Sequence, residues 1–156
     1  MLKAIVIAIL LFTGLVHGAM AEESDRVVRT KTGNYDDVRD AVEMAITDRG
    51  FVVNNVSHVG EMLARTGKDL GATKTIFLKA EVLEFCSAVI SRNMMEADPD
   101  NIVDCPYTIS VYVVPDKPGE VKVAYRKPQI VGSPASQKAL EAVDKLLSGI
   151  VQDALQ

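Results

Sequence analysis

Alternating apolar and polar positions predict a β-hairpin between Cys105 and Pro128, and the rest of the chain is organised around it. Apolar residues take every second position of its two halves, namely Tyr107, Ile109, Val111 and Val113, then Val121, Val123 and Tyr125. Residues 115–119 between them contain two prolines and a glycine, which favour a turn. Because successive side chains of a strand point to opposite faces, the hairpin presents one apolar face to a core.

Apolar residues at helical spacing predict two main helices. The first begins after Asn34, a preferred N-cap residue, and ends near Gly50, which tolerates the left-handed conformation. The last begins at Ser133-Pro134, the preferred order of cap residue and proline. Its apolar stripe consists of Ala139, Leu140, Val143, Leu146, Leu147, Ile150, Val151 and Ala154. Each helix therefore has one face that can cover a sheet.

The other segments complete an α+β pattern. Residues 26–32 predict a charged edge strand, 51–59 and 75–85 predict strands, 61–68 predicts a short helix or an irregular excursion, and 87–96 predicts a helix. On the 87–96 helix, the residues expected to face the core are Ala88, Val89, Met94 and Met95. We expect an antiparallel sheet of about four to five strands on two main helices, with a short helical insertion. The second face of the sheet is left exposed or covered by another copy.

The first 21 residues have the pattern of a secretory signal peptide. Lys3 is followed by an uncharged apolar run, and Ala19-Met20-Ala21 has small residues where signal peptidase reads the chain. The alternative is a membrane-spanning helix, for which this run is shorter than the ~18 residues needed. Cleavage near Ala21 would leave residues 22–156 as a single periplasmic or secreted domain with no stable membrane span.

Composition excludes some partners of that domain. The full chain carries a formal charge of −4, contains no tryptophan and has only 5% aromatic residues. A nucleic-acid-binding protein normally has a basic face, and this sequence shows none. The sequence therefore predicts no nucleic-acid partner and no aromatic platform for sugars or bases.

Two cysteines, Cys86 and Cys105, follow the signal peptide. In an oxidising compartment an even pair is most simply a disulfide, which would close a loop of about twenty residues and contribute roughly 3 kcal/mol. The sequence leaves open two other states, free buried thiols and metal or redox chemistry.

His58 is the single histidine that remains after signal cleavage, because His17 lies in the removed segment. Imidazole can ligate haem iron or zinc and can transfer protons near neutral pH. The alternatives are a structural role at a strand end, ligation of a haem or another metal-centred cofactor, a zinc or copper site shared with Cys86 and Cys105, and catalysis. The Cys-x-x-Cys-His motif is absent, so any haem would be non-covalent.

Hydrolytic machinery is not apparent. Ser57 adjoins His58, but adjacent side chains on a strand point to opposite faces, and no glycine-flanked serine elbow occurs. The remaining candidate carboxylates lie in loop-like or exposed contexts and are interpreted as solvated surface groups; they are Glu81, Glu84, Asp98, Asp100 and Asp104. Enzymatic activity is therefore not expected.

Several motifs in order resemble the domain of unknown function family 302 over about residues 35–131. They are the aspartate-rich helix ending at Gly50, Ser57-His58, the strand-like Thr73 to Phe77, Asp104-Cys105-Pro106-Tyr107, and Gly119 to Pro128 with its Gly-Glu-Val-Lys-Val-Ala-Tyr core. The resemblance implies a strand–helix–four-strand–helix fold and a homodimer formed through the sheet. It also implies haem binding by His58, while establishing no common activity.

The sequence as a whole thus predicts an exported domain that binds a small ligand or cofactor, with non-covalent haem on His58 as the sharpest version. The competing hypotheses are a disulfide-stabilised protein-interaction domain without a small ligand, and a thiol-redox protein that uses Cys86 and Cys105.

Overall fold

The structure is a computed structural model that describes residues 25–156. Its elements are β1 Arg26–Thr32, α1 Tyr35–Thr47, β2 Val53–Ser57, α2 Val59–Gly67, β3 Lys79–Phe85, α3 Ala88–Ala97, a 3-10 helix Pro99–Asp104, β4 Tyr107–Val113, β5 Glu120–Arg126 and α4 Pro134–Ala154. The predicted signal peptide, residues 1–21, lies outside the described residues. Among residues 25–156, no helix has both the length and the apolar character needed to cross a membrane.

The five strands form one antiparallel sheet in the order β1-β5-β4-β3-β2. The α+β prediction is therefore confirmed, including the hairpin of β4 and β5 at the centre and β1 at one edge. Within β4, the alternation of the sequence is also the alternation of burial, since Tyr107, Ile109, Val111 and Val113 are buried while the residues between them are half-buried.

The core lies between this sheet and the two main helices. The apolar faces of α1 and α4 contribute Val42, Ile46, Leu140 and Ile150, all fully buried. Both helices begin as predicted: the Asn34 side chain accepts hydrogen bonds from the backbone of the first turn of α1, and Ser133 accepts one from the backbone N–H of Ser136. A cap of this kind stabilises a helix by about 1 kcal/mol.

Two predicted strands are shorter than expected. The predicted strand 75–85 begins only at Lys79. The last pairs at this end of the sheet are Lys79–Val113 and Ser57–Val82, and before them Leu78 donates one backbone hydrogen bond to Val113. The predicted strand 51–59 is limited to Val53–Ser57, since Val59 already belongs to α2. The segment 61–68, for which the sequence left a helix or an excursion open, is mostly helix.

The prediction for α3 was wrong at two positions, because Ala88 and Val89 are exposed. Val89 is 70% exposed, whereas Met94 is fully buried and Ser91 is buried with its hydroxyl 3.0 Å from the hydroxyl of Tyr107. Ser91, whose hydroxyl has a hydrogen-bond partner, therefore faces the core, whereas Val89, which the apolar periodicity had assigned to the core, faces the solvent.

Asn101 fastens the 3-10 helix to both flanking helices. Its side-chain amide donates to the carbonyl of Met94 in α3 at 3.0 Å and to the hydroxyl of Ser136 in α4 at 2.9 Å. All three groups are buried, so this small network fixes the segment that leads into Cys105.

Candidate functional site

His58 lies between β2 and α2, at the N-cap position of α2. Its side chain makes no capping hydrogen bond and is 54% exposed. The strand-end position predicted from the sequence is thus confirmed in part, and the imidazole is free to bond elsewhere.

The imidazole is held by a carboxylate that is itself held by a guanidinium. Nδ1 of His58 lies 3.2 Å from Oε1 of Glu81, and Nε of Arg39 donates to Oε2 of Glu81 at 3.1 Å. Because an ionised carboxylate only accepts hydrogen bonds, the neutral ring carries its proton on Nδ1 and exposes the lone pair of Nε2. This chain of contacts orients the imidazole ring of His58.

The sheet register and α1 explain why the carboxylate is there. Glu81 pairs with Val111 on β4. It lies two and four residues before Leu83 and Phe85, so its side chain shares their core-facing side of β3, and only 21% of it is exposed. Arg39 reaches it from α1 and also pairs with acidic neighbours on that helix. Burial lowers the pKa of Arg39, but these ion pairs more than offset it and leave the pKa raised.

Glu81 and Arg39 are the residues that sequence reasoning missed. We interpreted Glu81 as a solvated surface carboxylate, and this was wrong. The available signal was the two-residue spacing of Glu81, Leu83 and Phe85, which places a charged residue on the apolar face of a strand. Such a residue requires a partner, and Arg39, four residues before Glu43 on α1, supplies it.

Contact between α2 and β3 fixes the position of His58. Gly60, two residues after His58, lies so close to β3 that a Cβ there would be 2.8 Å from the backbone nitrogen of Ala80. Only a residue without a side chain permits this approach. The start of α2, and the histidine before it, are therefore held against the strand that carries Glu81.

A cavity of about 250 Å³ adjoins the imidazole. It is lined by Tyr35, Asp36, His58, Gly60, Glu61, Leu78, Lys79, Ala80 and Glu81. Lys79 forms a bidentate ion pair with Asp36 at 2.7 and 2.8 Å, and its ammonium lies 5.0 Å from the ring centre of Tyr35. The lining is consequently polar, and its lysine is already neutralised.

The histidine of this site fits haem, but the size of the cavity does not. The free Nε2 of His58 and the carboxylate behind its Nδ1 are what a metal-ligating histidine normally has. The cavity, however, is below the ~300–1,000 Å³ of pockets that enclose drug-sized ligands. The apolar part of its lining includes Leu78, which is 50% exposed. A planar cofactor on His58 would thus lie against an open surface.

The two cysteines meet at the opposite end of β3. Cys86 directly follows the strand, Cys105 precedes β4, and their sulfur atoms are 3.5 Å apart as free thiols. The hydroxyl of Ser91 lies 3.7 Å from the Cys105 sulfur. Burial, together with the adjacent Cys105 sulfur, raises the pKa of Cys86 to about 11.

The hypothesis of one zinc or copper site shared by His58 and both cysteines was wrong. His58 contacts Glu81, whereas Cys86 lies five residues further along the strand, roughly 16 Å away at the usual rise of a strand. Across residues 25–156, no group of three histidine, cysteine or acidic side chains could hold a metal ion.

Comparison with known proteins agrees with this architecture. The family model described as "Domain of unknown function DUF302" matches residues 27–154. The chain belongs to the DUF302 family. A crystal structure of an uncharacterised conserved DUF302 protein from Bacillus stearothermophilus is similar, with a TM-score of 0.69 and 17% identity over 85% of this chain and 98% of that one. No curated protein matches the sequence.

The DUF302 resemblance inferred from the sequence motifs is thereby confirmed. At 17% identity, the similarity to the solved structure establishes the fold and is not evidence for a ligand or an activity.

Proposed function

We propose that this DUF302 protein is an exported binding domain that holds a small, metal-centred ligand through Nε2 of His58, with non-covalent haem as the first candidate. The observation that carries the proposal is the 3.2 Å contact between Nδ1 of His58 and Glu81, which leaves Nε2 free beside a cavity. When bound, haem would supply an iron centre for ligand binding or electron transfer. Export rests on the signal-peptide pattern of residues 1–21.

The protein's own contribution would be orientation of the imidazole. Arg39 forms an ion pair with Glu81, Glu81 contacts Nδ1 of His58, and Gly60 allows α2 to lie close enough to keep the ring there. Removing a carboxylate behind a ligating histidine typically lowers metal affinity about 10–100-fold.

The protein would also form a homodimer through the open face of the sheet, which lies opposite the face that carries Glu81. A row of uncharged, mostly small side chains crosses this face, made by the paired residues Val82, Ser110, Ala124 and Val28. Three of the four are half-buried and Val28 is 37% exposed, so the row offers a second sheet an uncharged strip, which Glu84 and Lys122 flank on the same face. The same face supports the second candidate, a protein-interaction domain with no small ligand.

The experiment is a haem titration of the purified protein, followed by its absorption spectrum and by its mass in solution with light scattering. We expect a sharpened, shifted Soret band and the mass of two chains. His58→Ala should abolish the Soret change, and Glu81→Gln should weaken affinity about 10–100-fold because the ring loses its charged partner.

Glu84→Gln is the matched control, since it removes a carboxylate from the same strand on the opposite face and should leave haem affinity unchanged. An unaltered haem spectrum with the parent protein, or an equal Soret change in His58→Ala, refutes haem ligation by His58. A dimeric mass without haem binding would favour the interaction domain.

A further inference from the structure

The fold brings Cys86 and Cys105 together although nineteen positions separate them. Phe85, the last residue of β3, pairs with Tyr107, the first residue of β4, so the chain enters and leaves α3 and the 3-10 helix at the same point of the sheet. The sulfur atoms at this point are 3.5 Å apart and both side chains are partly exposed. A disulfide joins two sulfur atoms at about 2.05 Å, so this pair lies about 1.5 Å beyond bonding distance.

We propose that Cys86 and Cys105 form a structural disulfide, which closes the segment carrying α3 and the 3-10 helix onto the sheet. This goes beyond ligand binding at His58, because the cysteines lie at the other end of β3. The bond would connect the two strand ends directly, in addition to the backbone pairing of Phe85 with Tyr107.

The surroundings of the sulfurs favour a stable bond over redox catalysis. Reactive cysteines are usually accompanied by a cation that stabilises the thiolate. Here the residues in contact with the sulfurs are uncharged, since the Ser91 hydroxyl lies beside Cys105 and in turn bonds Tyr107. The charge that acts on Cys86 is that of Glu84, which disfavours a thiolate, and burial raises the pKa of Cys86 to about 11. Little Cys86 thiolate is therefore available for rapid exchange.

Formation of the bond needs an external oxidant of the disulfide class. The thiolate of one cysteine attacks a small-molecule disulfide such as oxidised glutathione, forms a mixed disulfide and expels one glutathione thiolate. The second cysteine then attacks the protein sulfur of that mixed disulfide and expels the other glutathione. In total the two protein thiols lose two protons and two electrons, and one glutathione disulfide is reduced to two thiols.

The test is equilibration of the native protein with defined mixtures of reduced and oxidised glutathione, followed by alkylation under denaturing conditions and mass spectrometry. We expect one species, monomeric on a non-reducing gel, that lacks the mass of two hydrogens and takes up no alkylating agent. It should remain oxidised in a buffer of predominantly reduced glutathione, as structural disulfides do.

Thermal unfolding measures what the bond does. Oxidation closes a loop of about twenty residues, so the Tm should rise on the order of 10 °C in the parent protein. Cys86→Ser, Cys105→Ser and the double variant should show no such rise, and three variants are used in case one folds poorly. Two thiols that stay alkylatable in excess oxidised glutathione would overturn the proposal. So would a bond that mild reducing mixtures break, which would indicate redox chemistry.

These outcomes are independent of the haem titration. Thiol counts are read without haem and can be repeated in His58→Ala, where we expect the same oxidation. Failure of haem binding with a normal disulfide would therefore refute the proposed function alone.

Discussion

Replacing Gly60 by alanine tests whether contact between α2 and β3 positions the candidate site. The new Cβ would lie 2.8 Å from the backbone nitrogen of Ala80 and 3.4 Å from its carbonyl oxygen. Backbone atoms of a paired strand cannot rotate away, so α2 must move outward. Overpacking of this kind costs about 1–3 kcal/mol. Alanine in a helix gains up to about 1 kcal/mol over glycine, which leaves a net loss of roughly 0–2 kcal/mol when that gain is complete.

Gly67→Ala is the matched control. Gly67 ends the same helix, and a Cβ there would meet only the side chain and carbonyl of Ala72, at 3.9 and 4.0 Å. It shares the helix-propensity gain without the clash, so the difference between the two variants isolates overpacking. In urea denaturation we expect the midpoint of Gly60→Ala to lie about 1 M below that of Gly67→Ala.

The same pair of variants also reads out the site. Outward movement of α2 carries His58 away from Glu81, so Gly60→Ala should weaken haem binding while Gly67→Ala should not. Equal stabilities of the two variants would refute the reasoning, because they would show that α2 does not press on Ala80 as described.

Two further predictions concern buried polar groups. Burial raises the pKa of Cys86 from an ordinary value of 9.0 to about 11, so the unfolded chain loses this proton first and the stability of the reduced protein should fall as pH rises through that window. The urea midpoint measured below and above the window should fall less in Cys86→Ser, and an identical fall in both proteins would contradict the assignment. Asn101→Ala should cost about 1–3 kcal/mol in urea denaturation, because the Met94 carbonyl and the Ser136 hydroxyl each lose a buried partner. Asn54→Ala, at an exposed position, should change stability by less than about 0.5 kcal/mol, and similar losses in both variants would rule out the network as their cause.

Local periodicity was sufficient to predict the central hairpin and the two main helices. In β4 and α4, whether a residue faces the core follows from its immediate neighbours in the sequence, through the two-residue period of the strand and the helical period of α4. Caps such as Asn34 and Ser133 are local too, since they bond to the backbone two or three residues away. For these elements the tertiary structure agrees with local preference.

Strand ends could not be predicted in the same way, because they depend on distant partners. Residues 75–78 have strand-like composition, yet Ile76 and Leu78 are 46% and 50% exposed since the adjacent strands end first. The site follows the same rule. His58 was predicted as a single residue of suitable chemistry, whereas Glu81 contacts it from a different strand and Arg39 binds Glu81 from a helix. Their convergence is set by sheet register, which no local pattern contains.

The order of strands in the sheet has a consequence for how the chain is made. Of the five strands, β1 is synthesised first but pairs only with β5, the last strand. Arg26 can pair with Arg126, and Thr32 with Glu120, only after β5 has been made. Closing so long a loop is slow, and β1 has no partner strand until nearly the whole domain has left the ribosome. Arg26, Arg29 and Lys31 repel the equivalent strand of another newly made chain during this interval. The charges on this edge thus protect the unfinished protein as much as the finished one.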